Sequence, residues 1–426
     1  MNKYKKSRFK SKAIDEVVVE PFKSNIPKWL PLILVVVALL VYSNTFKNGF
    51  VLDDNSAIQS NYIVQKGAKA IPEIFSTEYR AGYWVARGNL YRPVSLAVFA
   101  CLWDISPNDP FPGHVLNCLL YALTAFFLFR FLVILSGDRN GLFSFLVTLI
   151  YIVHPLHTEV VANIKSLDEI LSFLFLLLTG ILLMNYQRQN IKWMLLLAPF
   201  TYMLALMSKE SAITFLAVYP LLIYFMPDSK RQHYFATLVT TCFTAGVYLL
   251  IRNAVLNSQH GEPYHLLLID NSLVGAKDFM EKSASAFVLL GKYLWMQIWP
   301  YPLCADYSYN QIPLVRWNDA NAVLSLMAYL VMAAVVIIRI RKKELWVLGM
   351  AIYLIAISLY SNILITIGTN FGERLAYLPS LGSCIALISG LTSLMKKSLT
   401  QEQSIKTASG SIKLILPLVL VVSIVA

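Results

Sequence analysis

Long apolar runs recur along this chain, each approaching the ~20 consecutive apolar residues that a bilayer-crossing helix requires. A backbone inside hydrocarbon must satisfy its own N–H and C=O groups, which limits such runs to helices. The expected fold is therefore all-α, a polytopic membrane protein of about eleven transmembrane helices. The spans read at about 28–46, 113–135, 141–154, 167–186, 190–206, 211–226, 234–252, 320–340, 345–366, 375–395 and 412–426. Composition agrees: 57% of the 426 residues are hydrophobic and only 14% charged, against about 25% charged in soluble domains.

The net charge of +12 is local rather than spread. The first twelve residues hold Lys3, Lys5, Lys6, Arg8, Lys10 and Lys12, and further clusters fall at Lys230–Arg231, at the RIRKK run ending at Lys343 and at Lys396–Lys397. These clusters sit between apolar blocks, so they do not form one nucleic-acid-binding face. They fit the rule that Lys and Arg mark cytoplasmic loops. The N-terminus resembles a signal peptide in its basic region and apolar core, yet Ser43, Asn44, Thr45 and Phe46 supply no cleavage site. An uncleaved first span is expected.

Residues 1–27 then form a basic cytoplasmic segment, and 28–426 one transmembrane domain. Two long loops, about 47–112 and 253–319, fall outside the membrane on the opposite side. The apolar block 283–299 is placed at the interface, because a crossing there would move the 339–344 basic run to the wrong side. Its Tyr293, Trp295 and Trp299 suit the headgroup layer. The last residues, LILPLVLVVSIVA, are apolar to the end, and the natural protein is expected to continue outside. Five dispersed cysteines, with no CxxC pair, signal neither zinc nor a disulfide framework.

Polar chemistry collects on one side. NGFVLDDN places Asp53 and Asp54 just after the first span; a carboxylate there can act as general base on a hydroxyl, or simply cap a turn. In NLYRPVS, Pro93 fixes the backbone beside Arg92, whose guanidinium suits a phosphate or snorkels at the interface. HPLHTEVVANIKSLDE brings His154, His157 and Glu159 together, with Lys165, Asp168 and Glu169 beyond. His-Pro-x-His lacks the i,i+4 spacing of a helical zinc motif, so positioning a sugar or the catalytic loop is favoured over a metal, with a helix cap at Thr158 or Ser166 as the plain alternative. Lys209–Glu210 and Glu373–Arg374 sit at span ends, either functional or paired with each other, and Asp306 adds a polar patch to the second loop. The central thirds of the spans carry essentially no charge, unlike a coupled transporter with ionisable residues at the midplane.

In order, FVLDDN, YRPVS, GHVLNCLLYAL, HPLHTEVVANIKSLDEILS, KESAITFLAVYP, WPYPLCADYSY and GERLAYLPSLG resemble the membrane part of the transmembrane and tetratricopeptide-repeat O-mannosyltransferases, in the GT-C superfamily. The resemblance spans roughly 40–385, and seven motifs in one order make it specific. It implies a GT-C-like core with interfacial helices in the long external loops. It implies inverting transfer of mannose or a similar hexose from a polyprenyl-phosphate carrier to a hydroxyl of a protein or glycan. It implies an acidic base in the first external loop, here Asp53 or Asp54 with Asp53 preferred, and repeats following the membrane part. Arg92 and Arg374 are then expected to hold the donor phosphate. His154, His157, Glu159, Lys209, Glu210, Asp306 and Glu373 are expected to position substrate. No cofactor or metal is required, although a divalent metal stays open. The expected location is a bacterial inner membrane with a periplasmic site, or the endoplasmic reticulum with a lumenal one. The alternative from another class is a non-enzymatic lipid or solute carrier.

Overall fold

The computed structural model describes residues 25–394 apart from 84–87, 228, 261–263, 309 and 364. The basic segment before 25, Lys396–Lys397 and the expected span 412–426 lie outside the described residues. Among these residues the chain is all-helical. In order come α1 (Trp29–Tyr42), α2 (Ile71–Ser76), α3 (Pro93–Ile105), α4 (Phe111–Ser136), α5 (Leu142–Ile152), α6 (Thr158–Ala162) and α7 (Leu167–Gln189). Then follow α8 (Lys192–Ser208), α9 (Phe215–Phe225), α10 (Arg231–Ser258), α11 (Phe279–Met296), α12 (Ala320–Arg339), α13 (Leu345–Ser358) and α14 (Tyr377–Leu394).

Among the described residues, six continuous segments are long and apolar enough to cross a membrane: Trp29–Lys47, Phe111–Ser136, Ile164–Gln189, Arg231–Ser258, Ala320–Lys342 and Glu373–Leu394. A seventh, Leu142–Ile152 with Pro155–Ala162, is bent by 57°. Pro155 causes the break, since it lacks an N–H and its ring pushes the preceding residue out of the helix. Among the described residues, seven of the about eleven expected spans thus meet that length, counting the bent pair as one. Three of the expected spans fold as shorter apolar helices, Lys192–Ser208, Glu210–Phe225 and Leu345–Ser358. At 1.5 Å per residue the 17 residues of α8 reach only about 25 Å, short of the ~30 Å hydrocarbon thickness. The block at 283–299 forms most of α11, an 18-residue helix outside the set of candidate spans.

α13 and α14 are fastened by glycine. A Cβ at Gly382 would stand 2.4 Å from the carbonyl oxygen of Gly349, so only glycine permits this approach. Close backbone approach through small residues is how helices associate where water supplies no hydrophobic drive. This pairing sets the position of the turn before α14, Glu373–Ala376, which carries Glu373 and Arg374.

The connections sort to two ends of the bundle. At one end lie the 339–344 segment and the end of α9, joined where Lys343 Nζ sits 4.8 Å over the Tyr224 ring. At the other end lie the start of α7, the end of α8, the turn before α14 and both long loops.

Candidate active site

The turn that presents Asp53 is strained and held. Leu52 has φ 45°, the left-handed region that a leucine avoids. Asp54 holds it: one carboxylate oxygen accepts the Val51 N–H at 3.0 Å, and the other accepts the Lys165 N–H at 2.6 Å. Asp54 is fully buried, and burial pushes its carboxyl up to about 6 against those two hydrogen bonds. Its role in the structure is to pin the loop to the segment before α7.

Asp53 faces the other way, with its side chain 26% exposed. Three cations from three segments surround it. Arg374 Nη2 lies at 3.3 Å, Arg80 Nη2 at 3.5 Å and Lys165 Nζ at 3.8 Å. Burial would raise this carboxyl, but the fields of Lys165, Arg374 and Arg80 outweigh it and hold Asp53 down at about 2. Arg80 does not stand out in the sequence, and Lys165 is seen there only beside the His154, His157 and Glu159 cluster, with no role of its own. Arg80 sits in an aromatic loop, TEYRAGYW, and Lys165 in a short turn; only their meeting at Asp53 marks them.

Arg374 is aimed by Glu159, which accepts the Arg374 main-chain N–H at 2.7 Å and Nη1 at 2.5 Å. Its other edge stays beside Asp53, and the side chain is 20% exposed. Arg92 is placed differently. Its Nη1 donates to Asp168 at 2.5 Å, while Nε and Nη2 donate to Glu210 at 2.8 and 2.5 Å. With 6% of its side chain exposed, its donors are directed at carboxylates. Asp168 also meets Lys165 at 3.4 Å and Lys209 at 3.6 Å, and Lys209 pairs with Glu169. Lys209 and Glu210 thus reach across to other helices instead of pairing with each other.

The remaining expected residues stand outside this cluster. His157 is buried between Tyr121 Oη and Ser380 Oγ, each at 2.9 Å. His154 Nδ1 accepts the Leu156 N–H and its Nε2 lies 3.2 Å from the Gln297 carbonyl oxygen, which fixes a neutral ring. Both imidazoles brace the bend at Pro155. Glu373 is buried and accepts from Cys304 N–H at 2.7 Å and Tyr307 Oη at 2.8 Å, tying the second long loop to α14. Asp306, on the exposed surface, turns back on Ser308. Among the described residues no three His, Cys, Asp or Glu side chains converge as metal ligands. Beneath the bend lies an apolar cavity of about 300 Å³, lined in part by Ile150, Val153, His154, Met332, Tyr353 and Leu387.

These features define a class: an all-helical protein of several candidate membrane spans, with a partly exposed carboxylate inside an interlocked charge cluster at one end. No protein-family model matches the chain. Its curated relatives are protein O-mannosyl-transferases. It is similar to human protein O-mannosyl-transferase TMTC4, 25% identical over 87% of this chain and 56% of the relative. The Caenorhabditis elegans protein O-mannosyl-transferase F38B6.6 is 24% identical over 83% of this chain and 50% of its own length. Human protein O-mannosyl-transferase TMTC1 is 26% identical over 83% of this chain and 45% of its length. The chain spans about half the length of the curated relatives it matches.

Proposed function

We propose that this chain is the membrane part of an inverting, GT-C-like glycosyltransferase, moving mannose or a similar hexose from a polyprenyl-phosphate carrier to a hydroxyl on a protein or glycan. The observation that carries the reading is Asp53, a partly exposed carboxylate whose partner Arg374 shares the same opening. The relatives' names supply the class of reaction. The basic 339–344 run at the opposite end of the bundle favours a cytoplasmic position there, which leaves the site on the external face.

In this mechanism the acceptor O–H presents its proton to Asp53 while its oxygen attacks the anomeric carbon. The bond from that carbon to the phosphate oxygen breaks, and its electron pair leaves with the phosphate. Arg374, aimed by Glu159, stabilises the charge that develops there. Arg92, already engaged by Asp168 and Glu210, acts behind this layer by fixing Asp168 and through it Lys165. The apolar cavity below the bend offers a seat for the first isoprene units of the carrier. Charge gathered at one end of the helices, rather than at their middle, weighs against a solute carrier.

The test is sugar transfer by the purified protein from a panel of polyprenyl-phosphate sugars, compared with Asp53→Asn. Removing the general base is expected to lower the rate about 10²–10⁴-fold. Transfer near the wild-type rate in that variant would discard the assignment.

A further inference from the structure

Resting on that transferase reading, we propose that Arg80, Lys165 and Arg374 form one phosphate cradle that Asp53 occupies until the donor arrives, so that Asp53 becomes a base only in the donor complex and the donor binds before the acceptor.

The geometry is that of a competition. Three cations drawn from the first long loop, the turn before α7 and the turn before α14 point at a single carboxylate within 3.3–3.8 Å. Asp53, Arg80 and Arg374 are each about a fifth to a quarter exposed, so the opening reaches the cradle. Two of the three cations are guanidiniums, whose planar forks match the non-bridging oxygens of a phosphate. The groups facing Asp53 are Arg80 and Tyr79 from its own loop, Lys165 and Asp168 from the α7 side, and Arg374 from the α14 side, with Asp54 adjacent and Glu159 behind Arg374. Arg80, Lys165 and Arg374 pair with the Asp53 carboxylate directly, while Asp168 and Glu159 pair with Lys165 and Arg374 in turn.

A carboxylate under three cations is a poor proton acceptor, since a general base works best with a pKa near the operating pH. A phosphodiester entering the cradle takes hydrogen bonds from the same cations and adds negative charge beside Asp53. Both changes raise its proton affinity. The acceptor's proton then passes to Asp53 as the new C–O bond forms and the C–O(P) bond breaks. The product is a phosphate monoester of higher charge, which holds the cations more firmly. Asp53 gives its proton to solvent, and it reclaims the cations when the carrier phosphate departs. Arg80 and Lys165 are thus donor-binding residues, and the spent carrier is a product inhibitor.

Dolichyl phosphate, which has no sugar, serves as the probe with the purified full chain in nanodiscs. Binding is measured for wild type, Asp53→Asn, Arg80→Gln and Lys165→Gln. Asp53→Asn is expected to bind about tenfold or more tightly than wild type, because the competing charge is gone. Misfolding cannot mimic that gain. Arg80→Gln and Lys165→Gln are expected to bind about tenfold more weakly, and in transfer assays Arg80→Gln raises the donor KM far more than it lowers kcat. Asp53→Asn binding no tighter than wild type overturns the cradle, even if wild type transfers sugar normally. Tighter binding by Asp53→Asn, with no sugar turned over by wild type, upholds the cradle and overturns the transferase reading beneath it.

Discussion

The two ends of the bundle use the same residue types to different effect. At the basic end Arg339 pairs with Glu344 at 3.1 Å, with side chains 38% and 33% exposed. At the site end Arg92 pairs with Asp168 at 2.5 Å, with side chains 6% and 0% exposed. An exposed pair gains little, because water and salt screen it and two long side chains lose freedom. A buried one is costly to assemble and more costly to break, because losing one partner strands the other in low dielectric. Interlocking therefore separates a buried rim from a solvated one; charge count alone does not.

The sharpest way to break that contrast is Asp168→Asn. It leaves Arg92, Lys165 and Lys209 without a shared anion. A loss of about 3–5 kcal/mol is expected in denaturant titrations of the purified protein, and an unchanged midpoint would erase the difference between the ends.

A second test uses pH on the adjacent carboxylates. Asp54, raised to about 6, binds its proton more tightly folded than unfolded. Asp54 therefore contributes stability as pH falls from about 6 toward 4, at most about 3 kcal/mol. Asp53, held down at about 2, acts oppositely: it stabilises above its ordinary range, and that contribution disappears as pH falls toward 2. Thermal melts of Asp54→Asn should lose the gain on acidification between pH 6 and 4; a slope matching wild type would place the titration elsewhere.

Glu159→Gln comes next. It weakens a charged contact that aims Arg374, worth about 1.5–3 kcal/mol. A rise in donor KM of about tenfold or more is expected, with folding retained. The smallest effect belongs to Arg339→Gln at the basic end, below about 1 kcal/mol by melting, with transfer unchanged.

Much of the architecture was legible in the sequence, and the reason is physical. Hydrocarbon demands long apolar runs, so the spans at 113–135 and 320–340 announce themselves as α4 and α12. The shorter helices were less legible, because α8 and α9 each contain an internal proline and owe their placement to neighbours rather than to length. The site was legible by type and not by partner. Asp53 and Arg374 are separated by most of the chain, and no local pattern reports that they meet. Arg92 read as a phosphate ligand because its two carboxylates come from α7 and the turn after α8. His157 reads only as a positioning residue, because a histidine wedged between Tyr121 and Ser380 looks the same in sequence as one facing solvent.

Glu373 and Arg374 are neighbours that look in opposite directions. Glu373 grips the second long loop at Cys304 and Tyr307, while Arg374 reaches Asp53. Both side chains hang from one turn at the start of the glycine-packed α14, so the second long loop and the Asp53 loop share a single anchor.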